Sequence, residues 1–169
     1  ALLALKANAQ TPIQNFTDLD QALQNPSVVK TLKLEAGSPR INEFITQAGQ
    51  FNSLEEVCIL GFNNAKELEA VIDELTLVPT LRKVIAPLKD IEDLPANIQR
   101  LDQLASLEII PPYNLQSGNY KRLKSKAIVV DFVTGSDAEK VLSITCYSNR
   151  PKLDDKGVVR LVEVFPNAV

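Results

Sequence analysis

An α/β fold with a parallel sheet is the class this sequence predicts, and three observations carry the prediction. The first is the stretch LPANIQRLDQLASLEI, Leu94 to Ile109, whose Leu and Ile residues fall in the order LPxxIxxLxxLxxLxL. The second is that its LxxLxL half recurs. Val29-Leu32-Leu34, Leu54-Val57-Ile59, Leu81-Val84-Ala86, Leu104-Leu107-Ile109 and Ala127-Val130-Phe132 begin 25, 27, 23 and 23 residues apart. The third is that each strand-like half follows a stretch that reads as helix or turn, and strands alternating with helices pair in parallel. A unit of this size cannot cover its own apolar side, so neighbouring copies must stack; intervals of ~20 to 29 residues are usual for such arrays.

Taken in order, residues 1–15 read in two ways. They form either a helix that caps the stack through Leu2, Leu3 and Leu5, or a secretory-signal remnant, a short apolar run with Ala7-Asn8-Ala9 before Gln10. The second reading makes the protein secreted or periplasmic, while the first is equally compatible with the cytoplasm. Thr17 with Asp20 resembles a capping box for a short helix through Phe16, Leu19 and Leu23. Ser38-Pro39 has the N-cap and first-turn signature, with Ile41, Phe44, Ile45 and Ala48 on one helical face. Asn64 with Glu67 opens the longest helix, carrying Leu68, Val71, Ile72 and Leu75. Leu94-Pro95 through Leu101 gives a shorter helical turn, and Asn25-Pro26, Asn52-Ser53 and Val78-Pro79 break the chain before three of the strands.

After Ile110 the pattern weakens. Pro111-Pro112 stops the strand, and Tyr113 to Ser125 lacks periodicity, which predicts a long loop or irregular repeat. KAIVVDFV is apolar enough for a strand covered on both faces. VLSITCY and VVRLVEVF flank the turn-rich NRPKLDDKG, the pattern of a β-hairpin closing the C-terminal end.

This spacing resembles that of leucine-rich repeats, in degenerate units of 23 to 27 residues covering roughly Phe16 to Val133. The resemblance implies a leucine-rich-repeat solenoid over residues 16–136, with a parallel β-sheet on its concave side and helices on its convex side. Residues 1–15 would be an N-terminal cap helix or signal-peptide remnant, and 137–169 a C-terminal β-hairpin cap. The sequence departs from the family in one respect. Where the family usually carries an Asn bonded along the turn, this chain has Gly37, Phe62, Lys89, Pro112 and Gly135. The turn amides and carbonyls must therefore find other partners.

Composition excludes several function classes. A chain of 169 residues, 45% apolar and 23% charged, is one ordinary globular domain. A net charge of -3 supplies no field for nucleic acid, and no groove of one charge sign with interleaved aromatics is present. The basic cluster Lys121 to Lys126 reads as a solvated loop, with phosphate or anionic lipid as the sharper alternative. With no His and two Cys, the commonest general base is missing and a zinc site of usual composition cannot be assembled, so neither an enzyme nor a metal or other cofactor is expected. No apolar run reaches the ~18 residues that span a bilayer. Cys58 and Cys146 belong to strands more than three spacings of ~4.8 Å apart, which predicts two free thiols.

If the ruler residues point inward, the residues between them point outward, onto the concave side of the resemblance. The expected rows are Thr31, Glu56, Lys83, Ser106 and Val129; then Lys33, Cys58, Ile85, Glu108 and Asp131; then Glu35, Leu60, Pro87, Ile110 and Val133. Glu56 with Lys83, and Glu55 between Lys30 and Arg82, read as cross-strand ion pairs. Glu108 beside Asp131 sets two like charges on adjacent strands, and the apolar third row calls for a cover from a partner or from the chain itself. The function expected is therefore a non-enzymatic module that holds a protein or peptide partner on the concave sheet. Leu60, Ile85, Ile110, Glu108 and Asp131 are the expected contacts. The alternative is a structural protein that self-associates as a homo-oligomer through the same apolar row.

Overall fold

The computed structural model describes residues 16–62, 65–88, 91–110, 128–134, 140–146 and 154–165. In them, one seven-stranded sheet runs in sequence order. Its strands are β1 (Thr17–Asp18), β2 (Thr31–Glu35), β3 (Glu56–Leu60), β4 (Lys83–Pro87), β5 (Ser106–Ile110), β6 (Ile128–Thr134) and β7 (Lys140–Cys146). The first five pair in parallel, while β6 lies antiparallel to β5 and β7 antiparallel to β6. Helices α1 (Leu19–Ala22), α2 (Ile41–Gln47) and α3 (Ala65–Leu75) stand between the parallel strands, and α4 (Asp155–Val164) follows the sheet.

The ruler residues set the register. Leu32, Val57, Val84, Leu107 and Val130 lie opposite one another across five strands and are wholly buried. On that face they meet Phe44 of α2, Leu68, Val71, Ile72 and Leu75 of α3, and Ile98 and Leu101 beside the short 3-10 turn Ala96–Arg100, in one continuous core. Phe44 and Phe51 meet edge to face at 5.5 Å between ring centroids.

One backbone geometry recurs ahead of β2, β3, β4 and β5. The amides of Val29, Leu54, Leu81 and Leu104 donate to carbonyls three residues back, those of Pro26, Phe51, Val78 and Leu101, at 3.0 to 3.3 Å. The carbonyls of Lys30, Glu55 and Arg82 then each accept two successive amides from the next strand segment: Glu55 and Glu56, Arg82 and Lys83, Ala105 and Ser106, at 2.8 to 3.1 Å. At the other ends of the strands, the Ala36 amide donates to the Leu60 carbonyl at 2.7 Å and the Leu88 amide to Ile110 at 3.1 Å. These bonds satisfy turn amides that have no Asn ladder, and Gly37 makes the exit from β2 with φ of 79°.

Several expectations are corrected. Thr17 does not cap a helix; it pairs with Leu32 in β1, and α1 starts two residues later without a side-chain cap. Phe16 is buried with the outward cluster and Leu19 with the helix-side core, so the chain between them has to cross the sheet edge in extended form. β6 is antiparallel rather than parallel. The sequence between β5 and β6 carries no apolar helical period to build a crossover, and an antiparallel neighbour needs none. VLSITC forms β7 but pairs with β6, and VVRLVEVF is not its hairpin partner, because it lies within α4 and Phe165. Asp154 caps that helix by accepting from the Gly157 amide at 3.1 Å. Gly157, Leu161, Val164 and Phe165 then form a buried face at helical spacing, which outweighs the β-propensity of the valines. Arg160 fixes the helix to the layer below, donating from Nε and Nη2 to the Leu94 carbonyl at 3.0 and 2.7 Å. The two readings of residues 1–15, the loop at Tyr113 to Ser125 and the basic cluster lie outside the described residues.

The inward column predicts a contrast in stability. Leu107→Ala removes a wholly buried side chain shared by three strands and should cost about 2 to 5 kcal/mol in urea unfolding. Val158→Ala, on the 46% exposed side of α4, should change stability by less than about 0.5 kcal/mol. Equal losses would remove the column from its central role.

Candidate functional site

The outward side of the sheet divides into a polar row and, beside it, a mostly apolar buried region. Thr31, Glu56, Lys83, Ser106 and Asp131 lie opposite one another and are all partly exposed. The next row runs Lys33, Cys58, Ile85, Glu108 and Val129. Four members of the expected first row and four of the second hold their places. The antiparallel turn of β6 exchanges the fifth, bringing Asp131 opposite Ser106 and Val129 opposite Glu108.

That exchange removes the expected repulsion between Glu108 and Asp131. Asp131 accepts from Ser106 Oγ at 2.8 Å. Glu108, only 2% exposed, takes the Lys83 ammonium at 2.9 Å instead. Lys83 reaches it diagonally, one strand over and two residues further along than its register partner Ser106. The sequence pairs Lys83 with the directly opposite Glu56 because opposite residues are the nearest by spacing; the diagonal reach of a lysine is the signal it leaves unused. Burial of Glu56 pushes its carboxyl above the ordinary 4.5, an effect that Lys83 opposes and Glu108 and Glu55 reinforce. Glu56 Oε2 is buried and has no hydrogen-bond partner. Along the rim, Lys30 pairs with Glu55 at 3.7 Å, while Arg82 Nη1 turns to the Gln103 carbonyl and Oε1 at 3.1 and 2.7 Å.

The expected contact residues are brought together, but not as an open surface. Leu60, Ile85 and Ile110 are 9%, 0% and 0% exposed and cluster with Phe16, Cys58 and Val129. With Glu108 they are buried beside the polar row on the same face; of the five, Asp131 alone is partly exposed. Cys58 is a free thiol, and burial, reinforced by Glu108, pushes it up to about 12. It is a small apolar filler at neutral pH, not a nucleophile.

At the β1 edge the polar surface continues into an open cleft of about 460 Å³ lined by Asp18, Asp20, Gln21, Gln24, Lys33 and Glu35, among others. Lys33 bonds Asp18 at 2.6 Å and Glu35 at 3.1 Å, and the Asp18 bond is the main cause that raises its ammonium above the usual value. Among the described residues, no group of three or more His, Cys, Asp or Glu side chains could hold a metal ion, and no helix is long and apolar enough to cross a membrane.

Two variants test this electrostatic reading. Lys83→Met takes the ammonium from a buried carboxylate and should cost about 3 kcal/mol in chemical unfolding, much of it restored when Glu108 is also replaced by Leu. A Lys83→Met protein of unchanged stability would mean the pair is not a buried one. Glu56 has the opposite sign. Its raised folded-state pKa means the protonated carboxyl favours folding, an advantage present below 4.5 and lost as pH rises through the folded value. Glu56→Gln should therefore melt roughly 1 to 3 °C above the parent protein at pH 7 to 8, with the gap closing toward pH 4.5. A gap that widens on acidification overturns this assignment. Compared with known proteins, the chain matches no family model, no curated protein and no solved structure, so what it does has to be argued from the geometry of this face.

Proposed function

We propose that this chain is a non-enzymatic module of the leucine-rich-repeat kind, which binds a protein or peptide partner along the polar outward row of its sheet. The observation that carries the reading is the recurring strand entry. The same three-residue turn closes onto Val29, Leu54, Leu81 and Leu104, the first ruler position of each unit, and the carbonyls that follow the first three, those of Lys30, Glu55 and Arg82, are each shared by two amides of the next. A unit that satisfies its neighbour's backbone and covers its neighbour's leucines has no closure of its own, which is the logic of a solenoid. In that reading the sheet is the concave side and the helices and 3-10 turns the convex one.

The contact surface follows from what is accessible. Thr31, Glu56, Lys83, Ser106 and Asp131, continued by the cleft at Lys33 and Glu35, are the side chains a partner meets, while Leu60, Ile85, Ile110 and Glu108 stand beside them on the same face, buried. A rigid sheet holding polar side chains about 4.8 Å apart suits an extended peptide or a flat protein edge. Catalysis finds no support, since the buried thiol of Cys58 is held protonated. Self-association through the apolar row is the less favoured reading, because that row is already buried within one chain.

Selection from a displayed library of random peptides tests the proposal. Enriched peptides should lose at least about tenfold in affinity on Asp131→Lys or Thr31→Arg, two changes on the polar row, and keep it on Glu69→Lys, on the exposed side of α3. No enrichment, or equal loss in all three variants, sinks the reading.

A further inference from the structure

We propose that the polar row selects partners by a cationic side chain, a lysine or arginine seated against Glu56. The inference rests on the binding-module reading and narrows it to one chemistry. Glu56 stands at the second position of the row, between Thr31 and Lys83, and is partly exposed. Its Oε2 is a buried acceptor without a donor. The cations nearest in register are already committed. The Lys83 ammonium is 2.9 Å from Glu108, the Lys30 ammonium is with Glu55, and Arg82 donates to Gln103.

An acceptor left without a donor in a folded protein costs free energy that an incoming donor recovers, and a charged donor recovers most. The terminal torsion of a glutamate is soft and two-fold, so the Glu56 carboxylate can turn toward a donor arriving at the exposed row. Charge complementarity favours a cation over a neutral donor. Close to Glu56 the face holds two carboxylates, Glu56 and Glu108, and one ammonium, Lys83, which is bound to Glu108. A partner's anion set here would meet the uncompensated Glu56 carboxylate at close range, whereas its cation would neutralise it. An arginine has the better shape, since its planar fork reaches both oxygens of a carboxylate.

The experiment uses the intact protein and three fluorescent extended decapeptides that are identical except for one central residue, arginine, glutamine or glutamate. Fluorescence anisotropy at physiological salt should rank them arginine above glutamine above glutamate. Glu56→Gln should weaken the arginine peptide by about tenfold and leave the glutamine peptide within twofold. Glu69→Gln, which removes the same charge from the exposed side of α3, serves as the control and should change neither. Equal weakening by Glu56→Gln and Glu69→Gln would mean that net charge alone attracts the peptide, and would overturn the assignment. If library-selected peptides bind through Asp131 and Thr31 but ignore Glu56→Gln, this inference falls and the binding module stands. If no peptide of any charge is selected or bound, both fall together.

Discussion

The whole arrangement depends on one column of side chains. Leu32, Val57, Val84, Leu107 and Val130 sit shoulder to shoulder across five strands, each covered on its flanks by its neighbours and from above by the helical layer. A strand shifted by one residue would turn its whole apolar set to the opposite face, so this column fixes register more strongly than the backbone bonds alone could. The shared carbonyls of Lys30, Glu55 and Arg82 then bind the starts of β3, β4 and β5 to the strand before each. Once the register is fixed, the outward residues have no freedom left. The polar row exists because the inward column does.

Glu108 is the one buried charged residue among those described, and its position explains how such a group is tolerated. It stands between Ile85 and Val129, both buried and apolar, where an isolated carboxylate would cost several kcal/mol. Lys83 brings its ammonium in from the polar row, keeping a small part of its side chain in contact with solvent while its charge meets Glu108. The pair therefore joins the accessible row to the buried row beside it. Its contribution is more to specificity of packing than to stability, because a hydrophobic pair of similar volume would fill the space without desolvating two ions.

How much of this was legible in the sequence depends on the kind of information each element carries. The parallel strands β2 to β5 and their register followed from apolar spacing, because each ruler position is repeated often enough to exclude a slip. The direction of β6 was not legible. A strand alternates with period two in either direction, so reversing it about Val130 keeps that residue in the column and merely exchanges Val129 with Asp131. That exchange alone separates two repelling acids from a hydrogen-bonded Ser106–Asp131 pair. The last helix was missed for a different reason. VVRLVEVF has the residue types of a strand, and only Asp154 with the Gly157, Leu161, Val164 and Phe165 spacing carries the helical signal. The burial of Leu60, Ile85 and Ile110 was beyond any local reading. They cluster with Phe16 and Val129, distant in sequence, and an apolar row looks the same whether it awaits a partner or is already buried.

The division of the outward face also decides what kind of recognition it can support. An open apolar surface would bind by area and discriminate poorly, since one methylene more or less changes affinity by only ~1 to 3 kcal/mol. Here the apolar residues are buried, and the row beside them on the same face presents hydroxyls, carboxylates and a committed ammonium held at strand spacing. With a net charge of only -3, the molecule exerts little long-range pull. In the proposed module discrimination therefore has to arise at contact, where one unsatisfied oxygen on Glu56 would distinguish a donor from an acceptor, and a cation from an anion, at a single place. A site of this kind rejects strongly and attracts modestly, because a wrong partner must leave polar groups unpaired while a right one only replaces water.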